Sequence, residues 1–134
     1  MRAIICSALM ALTITTAGAA ENPRSASYIL PACRDAIARA NSSSPFLQGY
    51  CMGIVSEISH MGYMVAFTQN FTSYANGVPE QMIRKMLCLV APDEVTTDQM
   101  VGVVVTYIEK HPTRMHEDFR DLALEALRAA WPCK

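Results

Sequence analysis

The 134-residue chain contains no C-x-x-C pair, no glycine-rich phosphate loop and no G-x-S-x-G motif. The first absence removes the spacing by which paired thiols hold structural zinc. The other two remove a nucleotide-phosphate cradle and the nucleophile elbow of a hydrolase. There is no basic patch to hold nucleic acid and no acidic run that reads as a disordered tail. Histidine is scarce, at three residues, which leaves little material for acid–base chemistry near neutral pH. A membrane span takes about 20 apolar residues, and the apolar run at the amino end is shorter than that and lacks charge on its distal side.

What the amino end does contain is the pattern of an export signal. Arg2 is a one-charge n-region, Ala3 to Leu12 an apolar run extended to Thr16, and Ala17, Gly18, Ala19 and Ala20 the small residues of a cleavage site. Residues 1–20 are therefore expected to be a removed signal peptide, and 21–134 a single exported domain. Cys6 lies at the start of the apolar run and is expected to leave with it. Removing residues 1–20 takes away one of 11 basic residues and none of the 12 acidic ones, leaving a formal net charge of −2. Cys33, Cys51, Cys88 and Cys133 remain, and an even count in a small exported chain reads as two disulfides. No metal and no cofactor is expected.

Apolar spacing predicts a small all-α bundle of about four to five helices. In the first, Ile29, Cys33, Ala36, Ile37 and Ala40 share a face; Ser27 is the expected N-cap, which puts Pro31 in the first turn. Asn41 to Ser44 separates it from the second, which opens on Pro45. There Phe46, Leu47, Tyr50, Cys51, Ile54, Val55, Ile58, Met61 and Val65 form one continuous stripe, and Gly49 and Gly53 are expected to admit close approach of another backbone. Residues 67–78 read as a loop ending in Asn76-Gly77, followed by a short helix from Pro79 with Met82, Ile83, Met86 and Leu87 inward. Val101 to Ile108 has the composition of a strand, but Thr96 and Gln99 form a capping box ahead of it, and Val101, Val104, Val105 and Ile108 keep the helical period. Helix is expected there, stopped by His111-Pro112. In the last, Phe119, Leu122, Ala123, Ala126, Leu127 and Ala130 face the core, with Glu117, Arg120, Asp121, Glu125 and Arg128 toward water.

Four cysteines allow three pairings. Helices one and two form an antiparallel hairpin in which Cys33 and Cys51 fall at one level on facing stripes, which favours Cys33–Cys51 together with Cys88–Cys133. Disulfides remove the thiolate that cysteine–histidine catalysis needs. His60 lies on a polar face. His111 and His116 flank a turn around Pro112, where a structural role outweighs a metal or acid–base pair, and Glu117, Asp118 and Asp121 complement the dipole of the last helix. No catalytic residue is assigned, and the chain is not expected to be an enzyme. Met52, Met61 and Met64, with Tyr63 and Phe67, could offer a soft apolar surface to a protein partner, although core packing against a neighbouring helix is the favoured account of any one methionine.

Several runs, in this order, resemble one family: Phe46-Leu-Gln-Gly-Tyr-Cys51-Met-Gly, then Cys88, then Val95-Thr-Thr-Asp-Gln99, then Val103-Val-Val-Thr-Tyr-Ile-Glu-Lys-His-Pro112, His116, and Ala126-Leu-Arg-Ala-Ala-Trp-Pro-Cys133. The chain is similar, over about residues 27–134, to the Rap/Tai family of immunity proteins, which protect bacteria from amidase effectors of type VI secretion. The resemblance implies a periplasmic, all-helical homodimer that occludes the active-site cleft of a Cys–His peptidoglycan amidase. The stretch between Cys51 and Cys88 is longer than the family pattern. Its aromatic residues in a polar loop mark a partner surface, formed by Phe67, Phe71 and Tyr74 with Tyr63 and Met64. Two other classes suit an exported helical chain: an acid-stress chaperone and a hydrolytic enzyme. The even charge balance and the three histidines support them little.

Overall fold

The computed structural model describes residues 22–67, with side chains as far as Met64, and residues 88–133. Within them four helices form: α1 (Ala26–Ala38), α2 (Pro45–Phe67), α3 (Thr97–Glu109) and α4 (Phe119–Ala130), with one 3₁₀ turn at Pro112–Arg114. Helices α1 and α2 form one hairpin and α3 and α4 another, and the two pack across each other on a shared core. Residues 1–21 and 68–87, including the expected signal peptide and the short helix after Pro79, lie outside the described residues.

Helix α1 begins earlier than its sequence suggests. Ser25, not Ser27, is the N-cap, its Oγ accepting from Tyr28 N at 3.4 Å. Pro31 consequently sits in the second turn, where it removes the bond to the Ser27 carbonyl. The extra turn is held by tertiary partners. Ala26 N donates to Glu117 O at 2.9 Å and Ser27 N to Met115 O at 2.8 Å, while Phe119 N at the start of α4 donates to Arg24 O at 2.9 Å. Ala26 and Phe119 are fully buried, so these first-turn donors need acceptors that water cannot supply. Arg24 and Asp118, the latter capping α4 through Arg120 N at 3.0 Å, add an ion pair at 2.6 Å across the same joint.

The α1–α2 turn is closed by polar side chains. Arg39 ends α1 in the left-handed region at φ 53°, and Gln48 reaches back from α2 to the Ala40 carbonyl at 3.0 Å. Ser42 donates to Asp35 at 2.7 Å, which holds that carboxyl below its ordinary range. Helix α3 opens on the expected capping box: Gln99 N donates to Thr96 Oγ1 at 3.3 Å and Thr96 N to Gln99 Oε1 at 2.8 Å. Helical hydrogen bonding, once nucleated there, overrides the strand-like composition of the valine run.

Both disulfides form as favoured, Cys33–Cys51 with Cα atoms 5.5 Å apart and Cys88–Cys133 at 5.7 Å. Cys33 and Cys51 are fully buried between α1 and α2. This bridge aims one narrow line of α2 inward, through Cys51, Val55 and Gly62. The broad stripe predicted for α2 is therefore only partly buried: Phe46 and Met61 are exposed, and Ile54 and Ile58 half-buried. Ala130, the last residue of α4, is likewise exposed, while Trp131 after it packs against the core; Glu117 and Glu125 are half-buried.

The close approach expected at Gly49 and Gly53 occurs instead at Gly62. Nothing lies within 4 Å of a Cβ placed at either of the first two, both of which are exposed. A Cβ on Gly62 would overlap Leu89 Cγ and stand 2.9 Å from Cδ2. Leu89 is fully buried, and its strand-like stretch pairs with the carboxy end, Val90 N donating to Trp131 O at 3.1 Å beside the Cys88–Cys133 bridge. Gly62→Ala should therefore overpack this contact and lose about 1–3 kcal/mol in urea unfolding. Gly49→Ala and Gly53→Ala should each gain about 0.5–1 kcal/mol from helix propensity. Equal effects at all three positions would show that Leu89 is not seated on α2.

Candidate partner-binding surface

Around the α3–α4 connection the polar side chains with chemical potential are committed to one another. Arg114, in the 3₁₀ turn, grips two carboxylates at once: Nε and Nη2 donate to Glu117 at 2.7 and 2.6 Å, Nη1 and Nη2 to Glu125 at 2.6 and 3.0 Å. Tyr107 Oη donates to Glu125 at 3.1 Å, tying α3 to α4. His111 places Nδ1 2.7 Å from the Tyr107 carbonyl, its ring 4.4 Å from the Tyr107 ring, so it finishes the C-terminus of α3. Hydrogen bonds from Arg114 hold Glu117 and Glu125 below the ordinary glutamate range, while burial, then Glu125, pushes the Tyr107 phenol up. A general acid needs the opposite shift. Asp118 is occupied as the cap of α4 and Asp121 lies in its first turn. His60 and His116 are exposed, and no group of three His, Cys, Asp or Glu among the described residues is placed to hold a metal ion.

The apolar surplus of α2 is where the surface departs from an ordinary one. With its inward line satisfied by Cys51, Val55 and Gly62, the helix leaves Phe46 75 %, Tyr63 48 %, Met61 44 % and Met64 42 % exposed. Met61 and Tyr63 flank Gly62 on either side, and Val90, 37 % exposed, follows the Leu89 that rests on it. Met61, Tyr63 and Met64, at the carboxy end of α2, are of the residue types over-represented in protein interfaces. Of the residues expected to meet a partner, Tyr63 and Met64 thus stand on this surface. Phe67 is the last residue of α2, its side chain outside the described residues, as are Phe71 and Tyr74 entirely. Met52, by contrast, packs half-buried against the core.

A second apolar concavity of about 350 Å³ lies at the other end of α2, lined by Tyr28, Phe46, Leu47 and Tyr50. Phe46 and Tyr50 stack with centroids 6.5 Å apart, and Arg120 stands 6.0 Å over the Tyr50 ring with Nη2 3.3 Å from its hydroxyl. Sequence reasoning assigned Phe46 and Tyr50 to the core and did not single out Tyr28 or Val90. Position was the available signal for Phe46: directly after Pro45, in the first turn of α2, it has no facing turn of α1 to cover it.

No described helix is long and apolar enough to cross a membrane. A family model described as Rap1a immunity proteins matches residues 25–133. The match runs from the N-cap of α1 to the second cysteine of the Cys88–Cys133 bridge, and so spans all four helices and both disulfides. No match was found among curated proteins or among solved structures.

The Arg114 clamp has a direct consequence for acid stability. Glu117 and Glu125 bind protons less readily folded than unfolded, so their contribution is complete above the ordinary glutamate value of about 4.5 and is lost as pH falls through it toward their lower folded values. Thermal melts should show a declining melting temperature across that acid limb. Arg114→Gln should lower it at neutral pH and flatten the limb; an unaltered limb would place its origin elsewhere.

Proposed function

Because the chain belongs to the Rap1a immunity protein family, we propose that it is an exported immunity protein that binds a peptidoglycan amidase effector of type VI secretion and occludes its catalytic cleft. The observation that carries the surface assignment is the apolar surplus of α2 around Gly62, where Met61, Tyr63, Met64 and Val90 are all exposed. Occlusion asks for shape, rigidity and apolar anchors, not for a reactive group, and the carboxylates, tyrosine and histidine of this protein serve the fold. Two disulfides accord with maturation in an oxidising compartment, and the 1–20 signal pattern supports export toward the periplasm, where a peptidoglycan amidase acts. In this proposal residues 21–134 act as a single domain and as a homodimer, and no catalytic step belongs to the immunity protein.

The partner surface comprises Tyr63 and Met64 together with Phe67, Phe71 and Tyr74. Directing the product of the neighbouring gene to the periplasm should kill cells, and co-expression of this protein should rescue them. Purified, the two should form a stoichiometric complex with amidase activity on peptidoglycan suppressed. Joint alanine replacement of Tyr63, Met64, Phe67, Phe71 and Tyr74 should weaken the complex at least about a hundredfold, since anchors of this kind each contribute about 1 kcal/mol or more. Unchanged affinity with intact helical circular dichroism would move the surface elsewhere. Capture of many unrelated clients in place of one would instead support a periplasmic chaperone.

A further inference from the structure

The two disulfides occupy opposite environments. Cys33 and Cys51 are fully buried at the centre of the α1–α2 interface, so a reagent reaches them only by prising the hairpin apart. Cys88 and Cys133 are both partly exposed, and they join the stretch that carries Leu89 to the residues just after α4. Among the described residues they hold the Leu89–Pro132 pairing, the Val90 N to Trp131 O bond, and the leucine seated against Gly62. Opening this corner uncovers Leu89 and leaves the α1–α4 core packing in place.

We propose that Cys88–Cys133 is a reducible clasp, opened by dithiol reductants while Cys33–Cys51 and the four-helix core persist. Thiol–disulfide exchange requires a thiolate to reach a sulfur along the S–S axis, so access selects the bridge attacked. One thiolate of the reductant attacks a sulfur of the pair, forming a mixed disulfide and releasing the other cysteine as a thiolate, which takes up a proton. The second thiol of the reductant, deprotonated, displaces the remaining cysteine, which is protonated in turn. Two electrons and two protons pass to Cys88 and Cys133, and the dithiol is oxidised to its own disulfide. The freed Leu89–Val90 stretch then separates from Trp131–Pro132, and Val90 leaves the exposed patch beside Met61 and Tyr63. The inference concerns this chain's own redox chemistry and stands whatever partner it binds.

The test treats the disulfide-bonded protein with dithiothreitol at neutral pH without denaturant, alkylates with iodoacetamide at intervals and locates the label by peptide mass spectrometry. Cys88 and Cys133 should be labelled at least about tenfold faster than Cys33 and Cys51, with far-UV circular dichroism preserved and amide exchange accelerated at Val90. Simultaneous labelling of all four cysteines with loss of helix signal would overturn the proposal, as would no labelling short of denaturation. A Cys88→Ser, Cys133→Ser double variant gives an independent readout: it should keep its helix content and exchange Val90 rapidly without reductant. Failure of that variant to fold, or unchanged exchange at Val90, would equally defeat the clasp.

Discussion

The buried Cys33–Cys51 bridge sets the register from which the rest of the bundle follows. A covalent bond between facing helices permits only a narrow range of Cα separations, and here it holds them at 5.5 Å. That distance turns the line Cys51, Val55, Gly62 of α2 fully inward, with Met52, Ile54 and Ile58 half-buried beside it. Gly62 then becomes the place where a second stretch of chain can approach, and Leu89 fills it. Leu89 brings Cys88 alongside the carboxy end, where the second bridge closes. The two disulfides are thus linked through the packing of a leucine against a helix backbone.

The same molecule shows how a small domain satisfies buried polar groups without enlarging its core. The amino ends of α1 and α4 exchange hydrogen bonds: first-turn donors of one find carbonyls in the approach to the other, and Arg24 with Asp118 reinforces the pair. In the same connection Arg114 joins the 3₁₀ turn to α4 through two carboxylates, one of them on the Glu117 whose carbonyl receives Ala26 N, with Tyr107 extending the network to α3. Neither arrangement leaves a carboxylate or histidine poised for proton transfer. Groups that look catalytic in isolation are here the mortar between helices.

In the proposed reading the apolar surplus of α2 serves the partner: an occluding protein must keep apolar anchors exposed until they meet it, which needs another constraint to stop those residues from collapsing inward. The buried disulfide and the Gly62–Leu89 contact supply that constraint. They commit the inward line of α2 to other uses and leave Met61, Tyr63, Met64 and Val90 outside.

Features written in local chemistry were legible from the residues alone. The capping box of Thr96 and Gln99 announced α3 against a strand-like composition, Pro45 marked the start of α2, and equal distances from one turn paired Cys33 with Cys51. Capping and chain reversal depend on a few neighbouring residues, so the sequence determines them directly, and with them the all-helical class; the family was legible from the order of the runs that resemble it. The start of α1 at Ala26, the choice of Gly62 over Gly49 and Gly53, and the exposure of Phe46 and Met61 were decided only by the tertiary structure. Each depends on what lies opposite: a carbonyl at Glu117, the side chain of Leu89, or nothing at all. Periodicity reveals that a helix face is apolar, but burial belongs to the pair of surfaces that meet, and only the assembled fold contains the second one.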